Sequence, residues 1–464
     1  MTEPVLKVLV LGHEATNTGA PTQLLHVLEQ WQRTRPVSIT LVLRRGGPLS
    51  RTYPARKRFV LGFPQAAGAW RVATQARRTL RGTRPPVQPE GTEDGSMPAG
   101  QAAFLELVSA WDNAALVVRR VLARSRPDVV FANTATHGDI IGRTTGVPVV
   151  SWVHERADLL RRIALEGAVD RQLRSSERLA AVSSVVRQDL VSTFGVDADR
   201  VTVVRPFLPP VGETSVDRET ARTALRRELG LDEDAIVVGG CGSLSWEKGS
   251  DLFVELSRRV HLSSAHAHIA FVWLGGHPDP LQLDRYELLA ARSAVGKPAR
   301  FLGARPSARA FLAGIDMLAL PSRSDAFPLV VLEAASCGTP TIAFASGGGA
   351  PEFIGTDAGV VVPDRDVDEM ARAIVALAER PAARFAAGAA AANKVRTELS
   401  LSHTADALWE LLVGVCRRPE LRLAHGADGR GSHPLRFNWR RSRFPPLAAR
   451  AEWRVALTAD AARA

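Results

Sequence analysis

The chain has 464 residues, of which 45% are hydrophobic and 23% charged. That length suggests about three domains or two large ones, and the composition is that of an ordinary globular protein, which excludes a disordered or collagen-like chain. The net charge is +11 and is unevenly placed: residues 44–89 carry eleven basic side chains and no acid, and residues 417–464 carry eleven basic and four acidic ones, which leaves the rest of the chain mildly acidic. An acidic body argues against a nucleic-acid-binding core, whereas the two basic segments allow attraction to anionic lipid or polyanions. The three cysteines, Cys241, Cys337 and Cys416, are far apart and form no C-x-x-C pair, which disfavours a zinc knot or a disulfide scaffold. No run of about 18 apolar residues escapes charge or Gly/Pro breaks. The apolar run Val8–Leu11 is too short for a signal peptide. A cytoplasmic protein is expected.

In chain order, Lys7–Gly12 reads as a buried strand running into a loop that contains Gly19. A helix follows from Thr22, with Leu24, Leu25, Leu28 and Trp31 at helical spacing. Ser38–Leu43 is the next strand, so the chain opens as a doubly wound α/β unit. Residues 44–100 break the rhythm as a basic insertion, with a flexible part near 82–100 marked by prolines and glycines. A helix over 101–124 and strands at 128–132, 147–153, 179–182 and 201–204 complete the first half. The three prolines in 205–212 exclude a helix there and mark a linker. The alternation then restarts with a helix over 217–229. Strands at 235–240, 267–274, 300–302, 315–320 and 340–344 follow, and helices over 366–380, 382–398 and 402–416 end the body. The tail, 418–464, interleaves aromatic residues with arginines. It reads as a segment packing on the body, as a membrane-surface anchor or as a single-strand platform.

The strongest chemical feature is Glu333 inside the apolar run Leu329–Cys337. An unpaired charge is costly to bury, so Glu333 either lies on an exposed helix face or has a partner, and a pair of ligand hydroxyls is a natural one. Asp325 lies in the turn Ser322–Pro328, and Pro328 keeps it off that helix. The two acids therefore suit different parts of one elongated ligand, and the helix start near Phe327–Val330 would aim free N–H groups at an anion. Lys248-Gly249, in a strand-to-helix turn that begins Gly240-Cys-Gly-Ser243, suits a diphosphate or is simply a capped helix start. Gly347–Gly349 allow backbone contact with a ligand or form a plain turn. His154 ends a strand, as a ligand contact or as a structural histidine.

The run Pro321–Pro340, with its two acids separated by seven residues, resembles the signature of retaining glycosyltransferases of the GT-B fold, family 4. The turn Gly242–Gly249 is similar to that family's phosphate loop, Gly348–Glu352 to its Gly-Gly-x-Pro-Glu turn, and Val153-His154-Glu155 to its N-terminal-domain histidine site. Gly19 falls where the family has a Gly-rich first loop. The resemblance implies an α/β protein of two Rossmann-like doubly wound domains facing across a cleft. These are an acceptor domain over 1–205, a nucleotide-sugar domain over 206–400 and a crossover helix over 401–417 that returns to the first domain. It implies transfer of a sugar from a UDP- or GDP-sugar to a glycan, lipid-linked or small-molecule acceptor with retention of configuration. Neither metal nor other cofactor is implied, nor a nucleic-acid partner. Peripheral contact with an anionic membrane at the inner face would fit a lipid-linked acceptor. A non-catalytic, nucleotide-sugar-binding scaffold is the alternative.

Carried residue by residue, the resemblance makes His154, Lys248 and Asp325 catalytic. His154 would touch the sugar near the reacting carbon, Lys248 would neutralise the leaving diphosphate and Asp325 would hold sugar hydroxyls. Gly19, Ser243, Arg323, Phe327, Pro328, Leu329, Val330 and Glu333 would complete the donor site, Glu333 on the ribose. Three positions depart from the family pattern. Asp325 is one methylene shorter than the commoner Glu, the first loop has one Gly instead of a pair, and Ser243 stands where many members have an Arg. Arg323 is the cation that could compensate for Ser243.

Overall fold

The structure, a computed structural model, describes residues 4–61, 117–118, 120–141, 146–163, 167–209, 217–277, 279 and 281–417. Most of the helix expected over 101–124, most of the basic insertion, the end of the linker and the tail 418–464 lie outside the described residues.

The first lobe begins with β1 (Leu6–Gly12), α1 (Gly19–Thr34), β2 (Val37–Leu43) and β3 (Lys57–Val60). It continues through β4 (Val129–Asn133), α2 (Gly138–Ile141), β5 (Val149–Val153), α3 (Ala157–Ile163), α4 (Ala168–Ser175), β6 (Arg178–Ala181), α5 (Ser184–Phe194) and β7 (Val201–Val203). Its seven strands form one parallel sheet in the order β3-β2-β1-β4-β5-β6-β7, with Val10 of β1 level with Leu41 on one side and Phe131 on the other.

The second lobe contains α6 (Arg218–Leu229), β8 (Ile236–Cys241), α7 (Ser250–Val260), β9 (Ile269–Leu274), α8 (Leu281–Ser293), β10 (Arg300–Phe301) and α9 (Arg309–Gly314). It goes on with β11 (Met317–Leu320), α10 (Leu329–Ser336), β12 (Thr341–Phe344), α11 (Ala350–Ile354), β13 (Gly359–Val362), α12 (Val367–Glu379) and α13 (Pro381–Glu398). Its six strands are ordered β10-β9-β8-β11-β12-β13, again all parallel. The last helix, α14 (Leu401–Arg417), packs against α1, β4 and β6 of the first lobe.

Parallel strands covered on both faces need nearly unbroken apolar sequences. Strand β4 (VVFAN) and strand β9 (IAFVWL) are buried at every position. The return of α14 is fixed by Trp31, whose Nε1–H donates to the Ala405 carbonyl at 2.8 Å and whose ring meets Trp409 edge-on at 5.7 Å. The sequence reading differs from the structure in the short elements. The edge strands β3 and β13 and the helices α2 to α4 were not anticipated, because four to eight residues carry too little periodicity to register. Helix α1 also starts three residues earlier than Thr22, directly at Gly19.

Candidate functional site

In each sheet the strand order reverses beside its first strand, between β1 and β4 and between β8 and β11. Open α/β sheets take ligands in the crevice at the carboxyl ends of such strands. The loops that leave β1, β8 and β11, with the end of β5, line one cleft of about 660 Å³ between the lobes, within the size range of small-molecule sites. Gly19, His154, Ser243, Lys248, Asp325, Phe327, Pro328, Leu329, Val330 and Glu333 all line it, and Arg323 does not.

Three helices start at this cleft without a side-chain cap: α1 at Gly19, α7 just after Lys248-Gly249, and α10 at Leu329. Uncapped N-termini present free N–H groups and partial positive charge to an anion. None of the three carries an acidic cap, and α1 and α10 have no acid in the first turn. Pro328 begins α10 by holding extended backbone, which keeps Asp325 in the preceding turn. There Asp325 forms an ion pair with Lys248.

Glycine sets how closely these turns approach. A Cβ on Gly249, whose φ is +69°, would lie 2.0 Å from the Pro321 carbonyl oxygen. A Cβ on Gly348, at φ +108°, would lie 1.6 Å from that of Asp325. Only glycine satisfies both the backbone angle and the space. The loop after β8, the Asp325 turn and the Gly-rich turn therefore stack backbone on backbone.

Glu333 projects from the first turns of α10 into the cleft, half-buried. Its carboxylate has no hydrogen bond or ion pair among the described residues. Burial raises the pKa of its carboxyl, with Arg309 pulling weakly the other way. A carboxylate held this way is short of partners and suited to accept hydrogen bonds from ligand hydroxyls. Across the cleft, His154 Nε2 lies 2.9 Å from Asn133 Oδ1, and the Asn133 amide nitrogen donates to the Ala20 carbonyl at 3.1 Å. The second contact fixes the amide so that Nε2 of His154 is the donor and Nδ1 is left an acceptor. Burial pushes His154 down to about 3, so the imidazole is neutral. Its ring rests on Trp152 at 4.3 Å. Glu155 beside it is a strut: it is buried and accepts from the Ala135 and His154 amides at 3.2 and 3.0 Å.

Ser243 is exposed at the rim. Arg323 turns away from the cleft. Its two terminal nitrogens bind Asp251 at 2.7 and 2.6 Å, and it stacks on Trp246. Among the described residues no three His, Cys, Asp or Glu side chains come together as a metal-binding group. The sequence reading missed Asn133, which orients His154, and Thr134, whose φ of 91° is rare for a β-branched residue. Thr134 is held there by Gln172, which donates to its carbonyl at 2.7 Å. A partner 21 or 38 residues away leaves no local mark in the sequence.

Comparison with known proteins places this geometry. A family model described as "Glycosyl transferases group 1" matches residues 235–380, and one described as "Glycosyltransferase Family 4" matches residues 100–210. The chain is 30% identical over 313 residues to a D-inositol 3-phosphate glycosyltransferase of Rhodococcus opacus, covering 64% of this chain and 67% of the relative. The chain belongs to glycosyltransferase family 4. A second relative, the D-inositol 3-phosphate glycosyltransferase of Rhodococcus erythropolis, is 30% identical over 68% of this chain and 69% of its own length. The chain thus spans about two-thirds of these relatives' length. Among solved structures, Anabaena HepE in complex with UDP and glucose superposes with a TM-score of 0.64 at 18% identity, over 88% of this chain and 99% of that one. At that identity the likeness establishes the GT-B fold: two facing Rossmann-like lobes, as the residues in 321–340 imply.

Proposed function

We propose that this family-4 protein transfers a sugar from a UDP- or GDP-sugar to a hydroxyl acceptor, with retention of configuration and without a metal. The observation that carries the reading is Glu333, a carboxylate unpaired among the described residues, in a cleft that Lys248 and three uncapped helix N-termini also line. Vicinal hydroxyls of a ribose would supply the partners Glu333 lacks. The diphosphate would take Lys248, competing with Asp325 for it, and would lie against the starts of α1 and α10. Asp325, released from Lys248, would hold sugar hydroxyls. His154, neutral, would act by its fixed dipole and hydrogen bonds near the reacting carbon, not as an acid. Preorganised charge of this kind stabilises a departing diphosphate.

The relatives' names make a phosphorylated polyol the first small acceptor to test, beside a glycan or lipid-linked one. Contact with an anionic membrane through the basic segments belongs to the same proposal. No described helix is long and apolar enough to cross a membrane.

A second reading, nucleotide-sugar binding without turnover, draws on Ser243 and on the commitment of Arg323 to Asp251, so that neither position supplies Lys248 with an arginine to share the diphosphate. A thermal-shift screen with UDP, GDP and their sugars, without added metal, tests both. Ligand that binds only the folded chain raises Tm by mass action, and the expected result is a shift with one base family. Release of free UDP or GDP from the matching sugar then separates transferase from scaffold. No shift with any nucleotide would overturn the donor-site reading.

A further inference from the structure

The turn that carries Asp325 belongs to the second lobe, yet it is tied to the first by contacts that the proposed chemistry does not use. Ser183, the N-cap of α5, donates its hydroxyl to the Ala326 carbonyl at 2.7 Å. The next amide, Ser184 N–H, donates to Glu352 Oε2 at 3.0 Å. Arg205, also from the first lobe, stands 3.6 Å from the other carboxylate oxygen. A carboxylate at a helix N-terminus is stabilised both by the free amides and by the helix dipole. Glu352 lies on α11, which directly follows the Gly-rich turn, and that turn rests on the Asp325 carbonyl at Gly348. Contacts thus run without a break from α5 through Glu352 and Gly348 to the backbone of Asp325. Glu352 itself does not line the cleft.

We propose that Glu352 is a positioning residue for the transfer reaction. It locks the Asp325 turn of one lobe to the start of α5 in the other, so that Asp325 and His154 approach the donor sugar in one fixed frame. The inference rests on the donor-site reading. Removing Glu352 leaves Lys248 and Glu333 untouched, so nucleotide affinity survives while alignment is lost.

The test compares the full chain with Glu352→Ala and Glu352→Gln by hydrogen exchange, UDP and GDP affinity, and donor turnover. In Glu352→Ala the Ser184 amide and segment 321–331 exchange about tenfold faster or more. In the same variant kcat falls by about tenfold or more, while the nucleotide Kd and the donor KM stay within about threefold. Glu352→Gln keeps an oxygen acceptor for Ser184 N–H and restores all three readouts to within about threefold of wild type. If Glu352→Ala does not fold, Glu352→Asp, one methylene too short to reach, takes its place. Unchanged exchange in 321–331 overturns the proposal, as does a Gln variant as damaged as the Ala variant, or a loss of nucleotide affinity equal to the loss of kcat. A wild-type chain that binds neither UDP nor GDP defeats the donor-site reading instead, and the exchange data still decide whether Glu352 ties the turn.

Discussion

Two side chains in the cleft are kept in states that cost stability. Glu333 is a half-buried carboxylate without a partner among the described residues, its pKa raised by burial. Glu333→Gln removes that desolvated charge, so the unliganded protein is expected to melt at the same temperature or higher. Affinity for UDP or GDP falls about tenfold to a hundredfold, the range for a lost hydrogen bond to a charged group. Calorimetric titration beside a melting curve reads both, and a lower Tm would show that Glu333 has a structural partner. His154 is the second case. Burial holds its folded pKa at about 3, below the ordinary imidazole value of 6.5, so between those values the unfolded chain binds the extra proton. Stability therefore rises with pH across that window, and falls as pH drops below about 6.5 towards 3. Buried His137, lowered for the same reason, adds to the slope. Denaturation of wild type and His154→Gln between pH 7 and 4 is expected to show a shallower loss in the variant; parallel curves would mean that His154 ionises normally.

At the scale of elements, the site is a stack of turns that glycine permits. Gly348→Ala places a Cβ against the Asp325 carbonyl at a backbone angle that L-residues avoid. A destabilisation of at least about 1–3 kcal/mol is expected, together with weaker donor binding because the Asp325 turn must shift. Urea unfolding and nucleotide titration of the same variant check this. A loss of stability with donor binding intact would separate the two turns. Much of this stack was legible beforehand. The acid in an apolar run, the proline that begins α10 and the glycines at strand ends each carry a local physical signal, and all but one of the chosen residues line the cleft. Arg323 could not be placed, because its partner Asp251 is 72 residues away. Neither could Ser183 and Glu352, whose contacts span 143 and 168 residues. Edge strand β13 escaped for a different reason: its four residues, Gly359–Val362, are too few to show a period.

At the scale of the whole molecule, the first lobe depends on the end of the described chain. Trp409 of α14 covers Trp31, itself fully buried. Trp409→Ala is expected to cost about 3–5 kcal/mol, read by chemical denaturation, and a change under about 1 kcal/mol would mean that α14 is only loosely held. The same helix has a mechanical consequence. The chain crosses between lobes once after β7 and again between α13 and α14, and the Thr404 hydroxyl donates to the Arg205 carbonyl at 2.9 Å, which sets the two crossings side by side. Two covalent pins placed together act as one hinge. Rotation about that point leaves both pins unstrained, whereas sliding of one lobe along the other would have to strain both at once. Opening about that hinge has to part the Ser183–Ala326 and Ser184–Glu352 hydrogen bonds, and closing it restores them.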